Sequence, residues 1–209
     1  MNGAVVFDLF HTLVDTEHLR PPGFRTIDAV GAAIGADAGA FAAFWASAYH
    51  ERETSMRELA DLVADYCKQA GLEFTASAWR EVDALFGVCR DDALRRPDPA
   101  IVKLVAALAT QTSVAVLSNC DVREVREWRA SPLAEHIAVF GRSCEIGVMK
   151  PDVRSYRWVL QRLGIEAPDA TFVGNGITGL RISRRVASGG GVTAGCRGIS
   201  RRGSEQVGS

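Results

Sequence analysis

Val5-Val6-Phe7-Asp8-Leu9-Phe10-His11-Thr12-Leu13 is the stretch on which the fold turns. Residues 3–7, Gly-Ala-Val-Val-Phe, form a short Val-rich apolar run that stops at a carboxylate. A run of that length, followed at once by polar residues, reads as a buried strand with Asp8 at its carboxyl end. Comparable runs recur at Ser113–Leu117, Ile137–Phe140 and Ala170–Val173. Helical patterns lie between them. Pro99–Leu108 precedes the second run, and Val153–Leu163 separates the third from the fourth, with Gly164 placed to end that helix. Strands alternating with helices predict an α/β fold whose parallel sheet is covered on both faces.

Residues 16–96 have another character, with amphipathic helices and no convincing strand. Phe41, Phe44, Trp45 and Ala48 follow helical spacing, and the aromatic stripe reads as core. Ser55-x-x-Glu58 reads as a capping box ahead of Leu59, Leu62, Val63 and Tyr66. Thr75 reads as the cap of a helix carrying Trp79, Val82, Leu85 and Phe86. The expected organisation is a discontinuous α/β unit, 1–15 and 97–188, interrupted by a helical unit over 16–96. From Gly176 to Ser209 nine glycines and six arginines accompany a single acid, Glu205. That segment carries +5 against −6 for the rest, and residues 189–209 are expected to be a disordered basic tail.

Composition narrows the function classes. The chain has 209 residues, 47% hydrophobic and 23% charged, with a formal net charge of −1. Such a balance gives no electrostatic reason to expect a nucleic acid or an anionic membrane as partner. No run approaches the ~20 apolar residues of a membrane helix. No signal peptide is recognised at the N-terminus. Cys67, Cys89, Cys120, Cys144 and Cys196 are odd in number and form no C-x-x-C pair, which suggests reduced thiols and a cytoplasmic location. His18, His50 and His136 share no metal-ligand spacing. Arg52 reads as a solvated helix end, or as a residue shown to substrate.

The polar residues that end the strands carry the chemistry. Asp8 ends the first, Ser118 and Asn119 the second, and Lys150 lies in the loop after the third. The fourth runs into Gly174-Asn175-Gly176. In an open parallel sheet, ligands bind outside the carboxyl ends of the strands. A carboxylate, a hydroxyl, an ammonium and an amide therefore converge on one edge. Such a set can attack and hold an anionic small molecule.

In this ordered set the sequence resembles the haloacid dehalogenase (HAD) superfamily of hydrolases, in the subgroup with a helical cap between the first two motifs. Asp8-Leu9-Phe10-His11-Thr12 matches D-x-D-x-T except at its second acid. Val114–Ser118 followed by Asn119 matches the second motif, and Lys150-Pro151-Asp152 the third. Phe172-Val173-Gly174-Asn175-Gly176 matches the fourth in part. The resemblance spans residues 3–176. It implies a Rossmann-like parallel-sheet core with an inserted α-helical cap domain. It implies an aspartyl-ester intermediate on Asp8, with Ser118 and Lys150 as further catalytic residues. Phe10, His11, Thr12 and Asn119 would be accessory. In phosphatase members Mg²⁺ would be held by Asp8, the Phe10 backbone carbonyl and, weakly, Asn175.

Two departures qualify the activity. Phe10 stands where phosphatases carry the acid that protonates the leaving oxygen, help that contributes ~10²–10⁴-fold. Haloacid dehalogenases carry an aromatic residue there and expel halide, which needs no proton. Asn175 replaces an acidic metal ligand, and no acid follows before Glu205. The expectation is a hydrolase of a small phosphorylated metabolite with Mg²⁺. The alternative is a 2-haloacid dehalogenase without metal, and a further one is a catalytically impaired or truncated relative. Residues 177–209 read either as a genuine basic tail or as an out-of-frame stretch, which the alternative frames of the coding DNA would distinguish.

Overall fold

A computed structural model describes residues 3–174. Asn175 and the basic segment that follows lie outside the described residues. Four strands, β1 (Ala4–Phe7), β2 (Ser113–Ser118), β3 (Val139–Arg142) and β4 (Ala170–Val173), form one sheet in the order β3-β2-β1-β4. Every pairing is parallel, and Val6 faces Ala115 on one side and Phe172 on the other. β1, β2 and β4 lie where the apolar runs predict. β3 is displaced toward the C-terminus, because Gly141 and Arg142 extend the ladder opposite Leu117 and Ser118.

Alternate residues of the sheet feed two cores, as the twofold period of a strand requires. Phe7, Val114 and Val116 join Val105 of α7 (Pro99–Ala109) on one face. Val6, Ala115 and Leu117 join Tyr156 and Val159 of α9 (Val153–Leu163) on the other. Asp98 caps α7 by accepting the Ala100 N–H at 2.7 Å, with Pro99 in the first helical position. Asp152 caps α9 through the Arg154 N–H at 2.8 Å. Gly164, at φ 68°, ends α9 in the left-handed conformation that glycine adopts without strain.

Between β1 and β2 the chain is helical: α1 (Thr26–Ala33), α2 (Ala38–Ser47), α3 (Tyr49–Thr54), α4 (Leu59–Ala70), α5 (Ala76–Gly87) and α6 (Arg90–Arg95). Their aromatic stripes are core. Phe41, Trp45, Tyr66 and Phe86 are buried in one cluster with Val30, Val63 and Val82. Trp45 stacks on Phe86 at 4.9 Å between centroids, and Phe41 meets Tyr66 edge-on at 5.0 Å. Thr75 caps α5 as expected, accepting the Ala78 N–H at 3.2 Å. The capping box at Ser55 does not form. Ser55 closes α3 in extended conformation, its hydroxyl takes the Arg57 N–H, and Glu58 holds the N-cap position of α4. Ala93 and Leu94 of α6 pack into the sheet core rather than among the other inserted helices. Among the described residues no single helix is long and apolar enough to cross a membrane.

Candidate active site

Asp8 is the first residue past β1, and its N–H donates to the Val173 carbonyl at 2.8 Å, extending the ladder with β4. The chain then turns sharply. The N–H groups of Leu13 and Val14 both donate to the Leu9 carbonyl, at 2.9 and 3.0 Å. His11 sits in this loop at φ 60° with its ring exposed. A left-handed conformation is costly for any residue with a Cβ. Among the described residues the His11 ring neither bonds to Asp8 nor packs in the core. The Thr12 hydroxyl is buried and has no partner among the described residues.

Lys150 donates from Nζ to Asp8 Oδ1 at 2.6 Å, and the Leu9 N–H reaches the same oxygen at 2.9 Å. Oδ2 accepts no hydrogen bond among the described residues. Asn119 holds the lysine in place: its Nδ2 donates to the Lys150 carbonyl at 2.8 Å and its Oδ1 accepts the Lys150 N–H at 2.7 Å. Ser118 is buried, its hydroxyl 3.3 Å from the Asn119 carbonyl. β1, β2 and the loop after β3 thus bring Asp8, Asn119 and Lys150 together at one sheet edge, with Ser118 beside them. Asn175 lies outside the described residues. The residue before it is constrained: a Cβ on Gly174 would lie 3.2 Å from that of Asp8.

Tyr156 went unnoticed in the sequence. It lies in the first turns of α9, buried, its ring edge-on to Phe172 at 4.9 Å. Burial, reinforced by the nearby Asp8 charge, pushes its hydroxyl up to about 12. It therefore stays neutral in the neighbourhood of Asp8. Its position six residues beyond Lys150, just after a capped helix start, was the available signal. Cys120 is an inert neighbour, since the adjacent Cys144 thiol and burial hold its own thiol well above the usual range.

Phe10 packs against the sheet core and lies under the Arg90 guanidinium, 5.5 Å from the ring centroid. It presents no acid to a leaving group. The donor set for a metal at Asp8 is thin. Among the described residues, the one group of three potential ligand side chains is Glu53, Asp121 and Glu124, and it excludes Asp8. Mg²⁺ keeps several waters and takes one or two carboxylates, so Asp8 supplies part of such a site and the remaining ligands would come from groups other than this trio.

That acidic trio belongs to a cavity of about 570 Å³ between the inserted helices and the loop after β2. Arg52 lines it and is no solvated helix end. It is 7% exposed, donates to Asp121 Oδ2 at 3.1 Å, and lies over the Trp45 ring at 4.2 Å. Burial, with Glu124 and Asp121 close by, pushes the Glu53 carboxyl up to about 8. Burial and Asp121 raise that of Glu124 to about 7.

Known proteins share this architecture. The haloacid dehalogenase-like hydrolase family profile matches residues 3–186. A HAD family enzyme of Bacteroides thetaiotaomicron superposes with a TM-score of 0.69 at 14% identity, over 88% of this chain and 89% of its own. A predicted HAD-like family hydrolase of Porphyromonas gingivalis gives 0.65 at 16%, over 89% and 88%. The L-2-haloacid dehalogenase of Xanthobacter autotrophicus, solved with chloropropionic acid covalently bound, gives 0.53 at 21%, over 89% and 75%. At these identities the likeness speaks to the fold. No curated protein matches the sequence. With the profile spanning most of its length, this chain belongs to the haloacid dehalogenase-like hydrolases.

Proposed function

We propose that this chain hydrolyses a small-molecule substrate through an ester formed on Asp8. The bond of 2.6 Å from Lys150 to Asp8 Oδ1 is the observation that carries the reading. It fixes one oxygen and leaves Oδ2 as the attacking atom. The lysine offsets the negative charge of an approaching anion. In the first step Oδ2 bonds to the electrophilic atom and the leaving group departs with its electron pair. In the second, water cleaves the ester, restores Asp8 and releases a proton to solvent. The inserted helices act as the cap over this edge and limit entry of water.

Phe10 supports a leaving group that needs no proton. The substrate class it favours is a short 2-haloacid, converted with one water to the 2-hydroxyacid, halide and a proton. Hydrolysis of a small phosphate ester is the second reading. Lys150 and the unpartnered Oδ2 favour it, because both suit phosphoryl oxygens and a cation. Mg²⁺ would supply Lewis-acid polarisation there, with Asp8, the Phe10 carbonyl and Asn175 as its protein ligands. The buried free cysteines support a reducing, cytoplasmic setting.

Screening the full chain against 2-haloacids and phosphate esters, with and without Mg²⁺, tests the reading. The expected result is metal-independent halide release that is lost in Asp8→Asn. Turnover that persists in Asp8→Asn sinks the nucleophile. Absence of turnover on both classes leaves a protein that only binds its ligand.

A further inference from the structure

Of the five arginines that line the cavity, Arg20, Arg25 and Arg123 are paired with Glu17, Asp28 and Asp83, so Arg52 and Arg90 face three carboxyl groups, Glu53, Asp121 and Glu124. Asp121 and Glu124 are fully engaged. Asp121 accepts Arg52 at 3.1 Å on Oδ2 and the N–H groups of Arg123 and Glu124, at 3.0 and 2.9 Å, on Oδ1. Glu124 accepts Arg90 on Oε1 and the Asp121 N–H at 3.3 Å on Oε2. Arg123 is committed elsewhere, to Asp83 and Asp91 at 2.7 Å each. Glu53 remains. It is 4% exposed, lines the cavity, and has no hydrogen-bond or ion-pair partner among the described residues. A buried carboxylate without a partner is costly, so it holds a proton or a cation.

A second group in the same cavity is also incomplete. The Nε of Arg52, adjacent in sequence, is buried and has no acceptor among the described residues. Two neighbouring side chains, each largely buried, thus lack the partners that a bound molecule would provide. A divalent metal suits them poorly. It would have to displace Arg52 and Arg90 from oxygens they already hold, and it would overshoot a deficit of one charge. A cavity of about 570 Å³ walled by Trp45, Tyr49 and Phe86 fits an organic molecule instead.

We propose that Glu53 is the counter-ion for an ammonium group on a small molecule that enters this cavity. Asp8, Ser118, Asn119 and Lys150 do not line the cavity, so this molecule is a ligand beside the hydrolytic site. The spatial link is Arg90, which binds Glu124 in the cavity and covers the ring of Phe10, two residues from Asp8. The acceptor that Arg52 Nε lacks is a polar atom close to the ammonium on the same molecule.

Calorimetric titration of the full chain with butylammonium chloride, and separately with 1-butanol, tests this without turnover. The ammonium should bind about tenfold or more tighter than the alcohol, the ordinary size of a charge-assisted hydrogen bond. Its binding should release protons at pH 7 and fewer at pH 9, where Glu53 has already lost its own. Glu53→Gln should erase the preference. Equal affinity for the two probes in the wild-type chain overturns the proposal whatever the variant does. So does a preference that survives Glu53→Gln, or MgCl₂ binding that depends on Glu53 while the amine is ignored. Amine binding without any hydrolysis would count against the Asp8 reading alone. Hydrolysis without amine preference would count against this one alone.

Discussion

Replacing Glu53 by Gln should stabilise the protein, and increasingly so as pH rises. The Glu53 carboxyl moves from 4.5 to about 8 on folding, chiefly through burial. An acid whose folded value is raised binds its proton more tightly when folded. It costs nothing well below 4.5, and the cost grows as pH rises toward 8. With ~1.4 kcal/mol for each tenfold change, the cost is about 1 kcal/mol at pH 5, about 3 at pH 7 and about 5 at pH 9. Gln mimics the protonated acid in shape and cannot ionise. Urea denaturation of both proteins at these three values reads the difference directly, provided their slopes agree. Glu124, raised to about 7, titrates in both proteins, and with its neighbour's charge gone it does so at a lower pH in the variant. A difference that stays flat across pH, or a Gln variant less stable at pH 9, would refute the reasoning.

Other substitutions probe the site and the fold. Asn119→Ala removes both bonds that fasten the Lys150 backbone. It should cost about 2–3 kcal/mol in denaturation and lower kcat more than it changes KM. Gly174→Ala sets a methyl 3.2 Å from the Asp8 Cβ, and a displacement of a few tenths of an ångström should cut kcat/KM about tenfold with little loss of stability. Gly141→Ala does the reverse, because its new Cβ meets Val159 at 2.9 Å and Leu117 at 3.1 Å inside the core. Melting should show about 1–3 kcal/mol of destabilisation, with Asp8 chemistry kept in the folded fraction.

What could be read in advance followed from local rules. Asp8, Ser118 and Lys150 each end or follow an apolar run, so a parallel sheet had to deliver them to one edge. Thr75, Asp152 and Gly164 act through neighbours two to five residues away: the first two open their helices, and Gly164 closes α9 as expected. Ser55 failed the same test, since it was already spent ending α3 in extended conformation. β3 slid because its register follows the hydrogen bonds of β2 rather than its own apolar residues. Arg52 and Glu53 sit in the charged stretch Glu51–Glu53, which looks solvated in sequence. Their burial arises only when α3 meets residues 121–124, about seventy positions on. No spacing rule reaches that far, and an unpaired carboxylate is visible only once its partners have been counted in space.

The claim that Asp8 is the nucleophile is open to one direct measurement. The chain is mixed with 2-chloropropionate, quenched in acid within one turnover, and digested for mass spectrometry. The peptide containing Asp8 should gain the mass of the propionate group, and that gain should disappear when the ester is left to hydrolyse before quenching. Release of chloride with the Asp8 peptide unmodified throughout, or with the added mass on another residue, would contradict the account.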